Sequence, residues 1–544
     1  MSNVDTRVGA VGEIEPEGGY RSRLSIWWRG LPEHQRWVLT VVFQAIAVVA
    51  LWFVDHSLGY GAGVIVAFTW MPKLEPVPWR VALQAALVIA FAIPAAVSST
   101  SWSISILLAI ACAATWVPDR QRRWVYPTGA LVLAILYPFY LAHLFTIPVF
   151  GSFPDVSTGV YMIVFVMMAV GLNIVVGYAG LLDLGYVAFY ATGAYTAGWL
   201  ASAQFAGQKC PKPGFGVGNC PVTLVPKTNL LFGAVGVPPG TGGIHISIFV
   251  VILLGGLLTG LFGILIGLPT LRLRGDYLAI VTLGFGEILP QVAQNGDSLF
   301  GYNVTNGPNG ITPLDSPGFG NGLSSLTGHF LPADYLSCCT SSFLGHQIEN
   351  TDLFYWTALV LLIGTVFCTL RLRDSRLGRA WVAIREDETA AAAMGIPLMR
   401  TKTWAYASGA FFGGVAGAYY AVVKSGTFPD DFYFNISVFI LCMVILGGMG
   451  NVWGVMAGAA FLAYLNQFGL GNIGSWINTH ISLFGHHPNL NVPLYASGIY
   501  GVIIVVVMLF RPEGLLPSRR RAAELHAEIQ HDTPLYDLQH EGAT

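Results

Sequence analysis

The chain alternates long apolar runs with short polar ones. A helix that crosses a hydrocarbon core needs about 20 mostly apolar residues. Runs of that kind lie at 37–54, 57–70, 79–97, 102–117, 124–150, 159–178, 184–203, 244–270, 277–293, 353–370, 403–424, 433–449, 452–469 and 494–510. The run at 57–70 is short and reads as a span or as a re-entrant segment. The pattern predicts an all-α fold, a polytopic transmembrane helical bundle.

Composition agrees. The chain is 54% hydrophobic and only 10% charged, with a mean hydropathy of +0.61. Soluble chains carry roughly 25% charged residues, so much of the outer surface here faces lipid. The positions of the charges then orient the bundle. An even count of about fourteen spans puts both termini on one side, and that side is assigned to the cytoplasm of an inner membrane. All Lys and Arg then fall inside except Lys209, Lys212, Lys227 and Lys424, as expected when short cytoplasmic loops retain cations. The segment 294–352 has no Lys or Arg but carries Asp297, Asp315, Asp334, Glu349 and Asp352, and reads as an outer loop. The first 36 residues lack the basic start and short apolar core of a cleaved signal. Arg519, Arg520 and Arg521 open a charged tail suited to anionic headgroups.

Enzyme signatures are missing from the sequence. No G-x-x-x-x-G-K-[ST] phosphate loop is present, so ATP hydrolysis is not expected of this chain, and no H-E-x-x-H occurs. No cofactor, metal or nucleic acid is expected. The most informative polar stretch is 371–402. Its middle, Arg379 to Met394, lacks Pro and Gly and is rich in Ala, which predicts a helix. Trp381, Ile384, Ala391 and Met394 form an interrupted apolar stripe, and Gly395 followed by Pro397 supplies a stop. Two readings stay open: a helix that docks in a groove of another protein, or one that rests on lipid headgroups.

Several stretches carry a resemblance. LGRAWVAIREDETAAAAMGIPLMRTKTWAYASGAFFGGVAGAYYA (377–421) resembles the coupling region of permeases from branched-chain amino-acid ABC importers. GLNIVVGYAGLLDLGYVAFYATGAYTAGWL (171–200), LRLRGDYLAIVTLGFGEILPQ (271–291), TNGPNGI (305–311), VILGGMGNVWGVMAGA (444–459) and MLFRPEGLLP (508–517) resemble the same family, in family order. The likeness is to the longer of two permease types that pair. It implies a division into a polar segment 1–36, extra spans 37–123, a permease core 124–517 containing the coupling loop 371–402, and a tail 518–544. It also implies a second permease subunit, two cytoplasmic ATPase subunits and an external solute-binding protein as partners. By analogy the ATPase contact falls on Glu386, Asp387, Glu388, Ala391, Ala392 and Gly395. The spacing from Glu388 to Gly395 is seven positions, one more than in the general E-A-A-x-x-x-G pattern.

A solute path needs polar groups at mid-membrane. Gly177, Gly180, Gly185 and Gly193 cluster at one junction of spans, and Gly447, Gly448, Gly450, Gly454 and Gly458 at another. Such clusters serve broken helices whose N–H groups hold a carboxylate, or close packing of small residues. Glu287 lies eleven positions beyond Asp276, roughly 16 Å along a helix at 1.5 Å per residue and so near mid-bilayer. It reads as a path residue that meets a substrate ammonium, or as a structural carboxylate hydrogen-bonded between helices. Asp183, near a cytoplasmic turn, reads as a helix cap. Cys210 and Cys220 bracket an outer loop that a disulfide would close in an oxidising compartment. The function expected is import of branched-chain amino acids, or of related small solutes such as urea. The alternative is an ion-coupled secondary transporter in which Glu287 takes a proton.

Overall fold

The computed structural model describes most of residues 119–516, with breaks inside loops, among them 142–152, 225–241, 326–331 and 481–489. The expected segments 1–36 and 518–544, and residues 37–118 of the expected segment 37–123, lie outside the described residues. The helices are α1 (Asp119–Tyr140), α2 (Val156–Asn173), α3 (Tyr186–Leu200), α4 (Ile248–Thr270), α5 (Asp276–Gln294), α6 (Asn350–Asp374), α7 (Arg376–Glu386), α8 (Glu388–Ala393), α9 (Leu398–Val423), α10 (Phe434–Gly447), α11 (Val452–Tyr464), α12 (Leu470–His480) and α13 (Ala496–Phe510). Among the described residues, four stretches are long and apolar enough to cross a membrane: Val156–Tyr178, Ile248–Thr270, Asn350–Asp374 and Val492–Leu509. Beside the helices, the described residues hold only short strands in the loops. β1 (Ala201–Ser202) pairs antiparallel with β5 (Gly243–His245), which pairs parallel with β4 (Thr223–Leu224). β2 (Lys209–Lys212) and β3 (Gly216–Asn219), like β6 (Ser342–Phe343) and β7 (His346–Gln347), form antiparallel ribbons. The fold is the expected helical bundle.

Two boundaries differ from the sequence reading. The span expected at 452–469 continues through a π turn, Leu465–Gly469, into α12 and ends at His480. The glycines and amides of 465–475 lower its hydropathy, but they leave the helical backbone unbroken. The single helix expected over Arg379 to Met394 is two helices, α7 and α8, parted at Asp387. Asp387 takes an extended backbone, φ −153° and ψ 113°, and its side chain caps the second helix instead of continuing the first.

The core forms around α2 and α9. Along α2 nearly every residue from Ile163 to Asn173 is buried, on all faces, which marks a helix surrounded by other helices. α9 packs against α2, α3 and α4 and is rich in Gly and Ala, which let backbones approach closely. At Gly193 of α3 a Cβ would lie 2.1 Å from the carbonyl oxygen of Gly414 on α9, so only glycine fits there. The Tyr186 hydroxyl donates to the Gly409 carbonyl oxygen at 3.0 Å across the same contact.

Successive long helices run in opposite directions, so the bundle has two ends. At one, the loop end, part of the acidic segment 294–352 folds down onto the helices. Ile311 and Thr427 exchange backbone hydrogen bonds, the Trp199 indole donates to the Val304 carbonyl oxygen at 2.8 Å, and His245 Nδ1 lies 2.9 Å from Asp315 Oδ2. At the other, the basic end, α6 gives way to α7 and α8 amid Arg371, Arg373, Arg376, Arg379, Arg385, Arg400 and Lys402.

Candidate functional site

The site at the basic end is built on α7 and α8. Ser375 caps α7, its hydroxyl accepting from the Gly378 N–H at 3.2 Å. Gly378, Trp381 and Ile384, spaced by three, form the buried face of this short amphipathic helix. Trp381 is fully enclosed, and its Nε1–H donates to the Thr401 carbonyl oxygen at 2.8 Å, fastening α7 to the start of α9. Asp387 then opens α8. Its Oδ1 accepts from the Thr389 hydroxyl at 2.6 Å and from the N–H groups of Thr389 and Ala390 at 2.8 and 3.0 Å. These donors, the Thr389 side chain foremost, hold its carboxyl below the usual range. α8 ends as the sequence predicted. Gly395 takes φ +82°, and the N–H groups of Gly395 and Ile396 reach back to the carbonyl oxygens of Ala392 and Ala391.

A second fastening joins α8 to α9. Lys402 Nζ donates to Glu388 Oε1 at 2.7 Å, with the lysine side chain 6% exposed and the glutamate 39%. Arg385 supplies a third. Its Nη1 donates to the Gly177 carbonyl oxygen at 2.5 Å, in the π turn that ends α2, and lies against Gly450 in the turn between α10 and α11. Gly450 N–H in turn donates to the buried Asn173 Oδ1 at 2.9 Å. One guanidinium thus touches two chain reversals, and these reversals lie close to each other because a glycine stands at Gly177, where a Cβ would lie 2.7 Å from Gly450 N. Gly180, at φ +70°, lies under the Arg385 stem.

Of the six residues expected to face an ATPase, Glu386, Asp387, Ala392 and Gly395 are exposed. Glu388 and Ala391 are turned into the chain, the first paired with Lys402 and the second buried against α9. Of the apolar stripe expected on this segment, Trp381, Ile384 and Ala391 are buried within the chain, while Met394 is 84% exposed at the tip of α8. The break at Asp387 resets the phase of the helix, so a stripe extrapolated from Trp381 misplaces it. Arg385 and Lys402 were missed as fastening residues. Their signal was weak, since both are cations in a loop already rich in them.

The glycines expected along a path sit in tight contacts. Gly177, Gly180, Gly448 and Gly450 lie at the basic-end reversals. Gly185 meets the Thr282 carbonyl on α5, and Gly193 meets α9. Asp183 is buried and accepts from Gly185 N–H at 2.9 Å at the start of α3, a capping role; burial raises its carboxyl to about 6. Glu287 is not buried between helices of this chain. It is exposed on α5, in an open groove of about 520 Å³ with Ile288, Gln291, Val292, Asn295 and Leu299. α5 is an edge helix, so the burial inferred from depth along it fails. Cys210 lies on β2 opposite Gly218; Cys220 lies outside the described residues. No group of acidic, His and Cys side chains able to hold a metal occurs among the described residues.

Residues 156–508 match the family of branched-chain amino acid transport system permease components. The high-affinity branched-chain amino acid transport system permease protein LivM of Salmonella typhimurium strain LT2 is 32% identical over 408 residues, 74% of this chain and 77% of that protein. Its namesake in Escherichia coli K12 is 31% identical over 407 residues, with the same shares. A probable branched-chain amino acid transport permease protein LivM of Methanocaldococcus jannaschii is 24% identical over 369 residues, 66% of this chain and 91% of that one. No solved structure matches the chain at a significant level. The family match runs from the start of α2 almost to the end of α13 and so takes in the whole basic-end assembly of α7, α8 and α9: the chain belongs to the permease-component family of branched-chain amino acid transport systems.

Proposed function

We propose that this chain is the membrane-spanning permease subunit of an ATP-driven importer, with its basic end in the cytoplasm and branched-chain amino acids as its solutes. Separate ATPase subunits bind at α7 and α8, a second permease subunit lies alongside, and an external solute-binding protein delivers at the loop end. One observation carries this reading. A short helix pair outside the bundle is fastened to α9 through Trp381 and Lys402 and to two chain reversals through Arg385, yet presents an exposed apolar tip at Met394. A secondary transporter has no use for such a part; a permease driven from outside by a motor does. The excess of Lys and Arg at that end supports its cytoplasmic orientation. The names of the relatives support the solute class, and favour it over urea.

The test is purification of the chain with its native neighbours and reconstitution into vesicles. ATPase subunits are expected to copurify, and L-leucine uptake is expected to require ATP. Met394→Glu is expected to release the ATPase while changing the stability of the permease by less than about 0.5 kcal/mol, as an exposed substitution does. Uptake driven by a proton gradient without ATP overturns the proposal.

A further inference from the structure

The exposed faces of the apolar helices are not alike. α4 turns Leu253, Leu257, Leu261, Leu265 and Leu268 outward, and α13 turns out Val502, Val505 and Leu509. Neither shows a charge, which is what a lipid-facing surface requires. α5 breaks this rule. Glu287 and Gln291 on its exposed face, with Asn295 just past its end, lie at intervals of four and form one polar stripe. Below Glu287, towards the basic end, the exposed positions become apolar at Ile280 and Tyr277. The stripe therefore runs from about the middle of the bilayer to its outer edge at 1.5 Å per residue and stops.

The groove along this stripe has a definite chemistry. Glu287 is the one charge among its lining residues, so it favours cationic groups. Gln291 and Asn295 add amides, the Asn295 Nδ2 already donating to the Gln291 carbonyl oxygen at 2.8 Å. Ile288, Val292 and Leu299 add exposed aliphatic surface on the same groove. A carboxylate at the foot, an amide above it and an aliphatic wall beside it are complementary to an ammonium, a carboxylate and a branched side chain.

We propose that the outer half of α5 lines the solute path, with Glu287 holding the ammonium of an aliphatic α-amino acid at mid-membrane and Ile288 and Val292 receiving its side chain. The inner half, at Tyr277 and Ile280, is the dry stretch below that site. This inference rests on the permease reading and goes further by naming the binding groups.

The test uses the complex purified with its native partners, in vesicles, with the native cysteines replaced. Gln291→Cys is expected to react with a membrane-impermeant cationic thiol reagent added outside, about tenfold faster than with its anionic counterpart, because Glu287 attracts the cation. Asn295→Cys serves the same purpose if Gln291→Cys fails to assemble. L-Leucine is expected to slow the reaction, and Ile280→Cys is expected to stay unlabelled. Adding Glu287→Gln is expected to remove the charge preference and lower L-leucine uptake by about 30-fold or more, as for a truncated buried charge contact. A purely structural carboxylate would leave the slowing of the reaction by L-leucine in place when Glu287→Gln is added. Absence of labelling at both cysteine positions, a charge preference indifferent to Glu287, or full uptake by Glu287→Gln overturns the inference. Failure of the unsubstituted complex to take up L-leucine with ATP overturns the importer reading instead, and the two failures are told apart by that control.

Discussion

α9 and α5 are both apolar helices of one bundle, yet they are opposite kinds of part. α9 is buried along most of its length, built of Gly and Ala where it meets α3 and α4, and holds α7 and α8 at its basic-end turn through Thr401 and Lys402. α5 sits at the edge and exposes Tyr277, Ile280, Glu287, Ile288, Gln291 and Val292. Close packing makes α9 respond as a rod, because a well-packed interior leaves little room to absorb displacement. Loose packing leaves the α5 face to something outside this chain.

The contrast can be broken most sharply at the α3–α9 contact. A Cβ at Gly417 would lie 2.0 Å from the Tyr190 carbonyl oxygen, so Gly417→Leu is expected to cost more than about 4 kcal/mol and to yield no folded protein by size-exclusion chromatography in detergent. If Gly417→Leu folds normally, α9 is not tightly held. Next in size is the fastening of α8. Glu388→Ala strips the partner from a nearly buried ammonium and is expected to cost about 2 kcal/mol, less than a fully buried pair because the glutamate is partly exposed. Lys402→Met, which removes the buried charge itself, is expected to cost less. Thermal unfolding of the two variants, alone and combined, measures the coupling.

A pH effect comes third. The Asp183 carboxyl is raised by burial to about 6, above its usual 3.8. The folded chain therefore binds the proton more tightly than the unfolded one, and this contribution to stability is full below about pH 4 and lost as pH rises through about 6. Asp183→Asn keeps an oxygen for the Gly185 N–H, and is expected to flatten stability over that window and to raise it at pH 7.5. The smallest effect sharpens the other side of the comparison. Ile280→Ala on α5 is expected to change stability of the isolated chain by less than about 0.5 kcal/mol; a large loss would show that face to be held within the chain.

Much of the bundle was legible in the sequence. Among the described residues, run lengths marked the apolar helices, and the sorting of Arg and Lys set their alternation, which the antiparallel order of those helices matches. The stop at Gly395 was legible because a positive φ after a helix favours glycine. Facing was not. In α2, α4 and α9 almost every position is apolar, so no polar stripe reveals which side is covered. Depth along α5 put Glu287 at mid-bilayer, but depth does not distinguish an inner face from an edge. The break at Asp387 also escaped. Its neighbours are good helix formers, and Asp competes for local N–H groups only once the backbone has already turned.

The length of α9 sets the scale of what its fastened end can accomplish. Its 26 residues span about 39 Å at 1.5 Å per residue. Pivoted near Lys402, a tilt of about 5° would sweep its opposite tip sideways by about 3 Å, close to the diameter of a water molecule. On the importer reading, small angular work at the basic end would thereby become a change of aperture at the loop end, with no hinge needed within the helix.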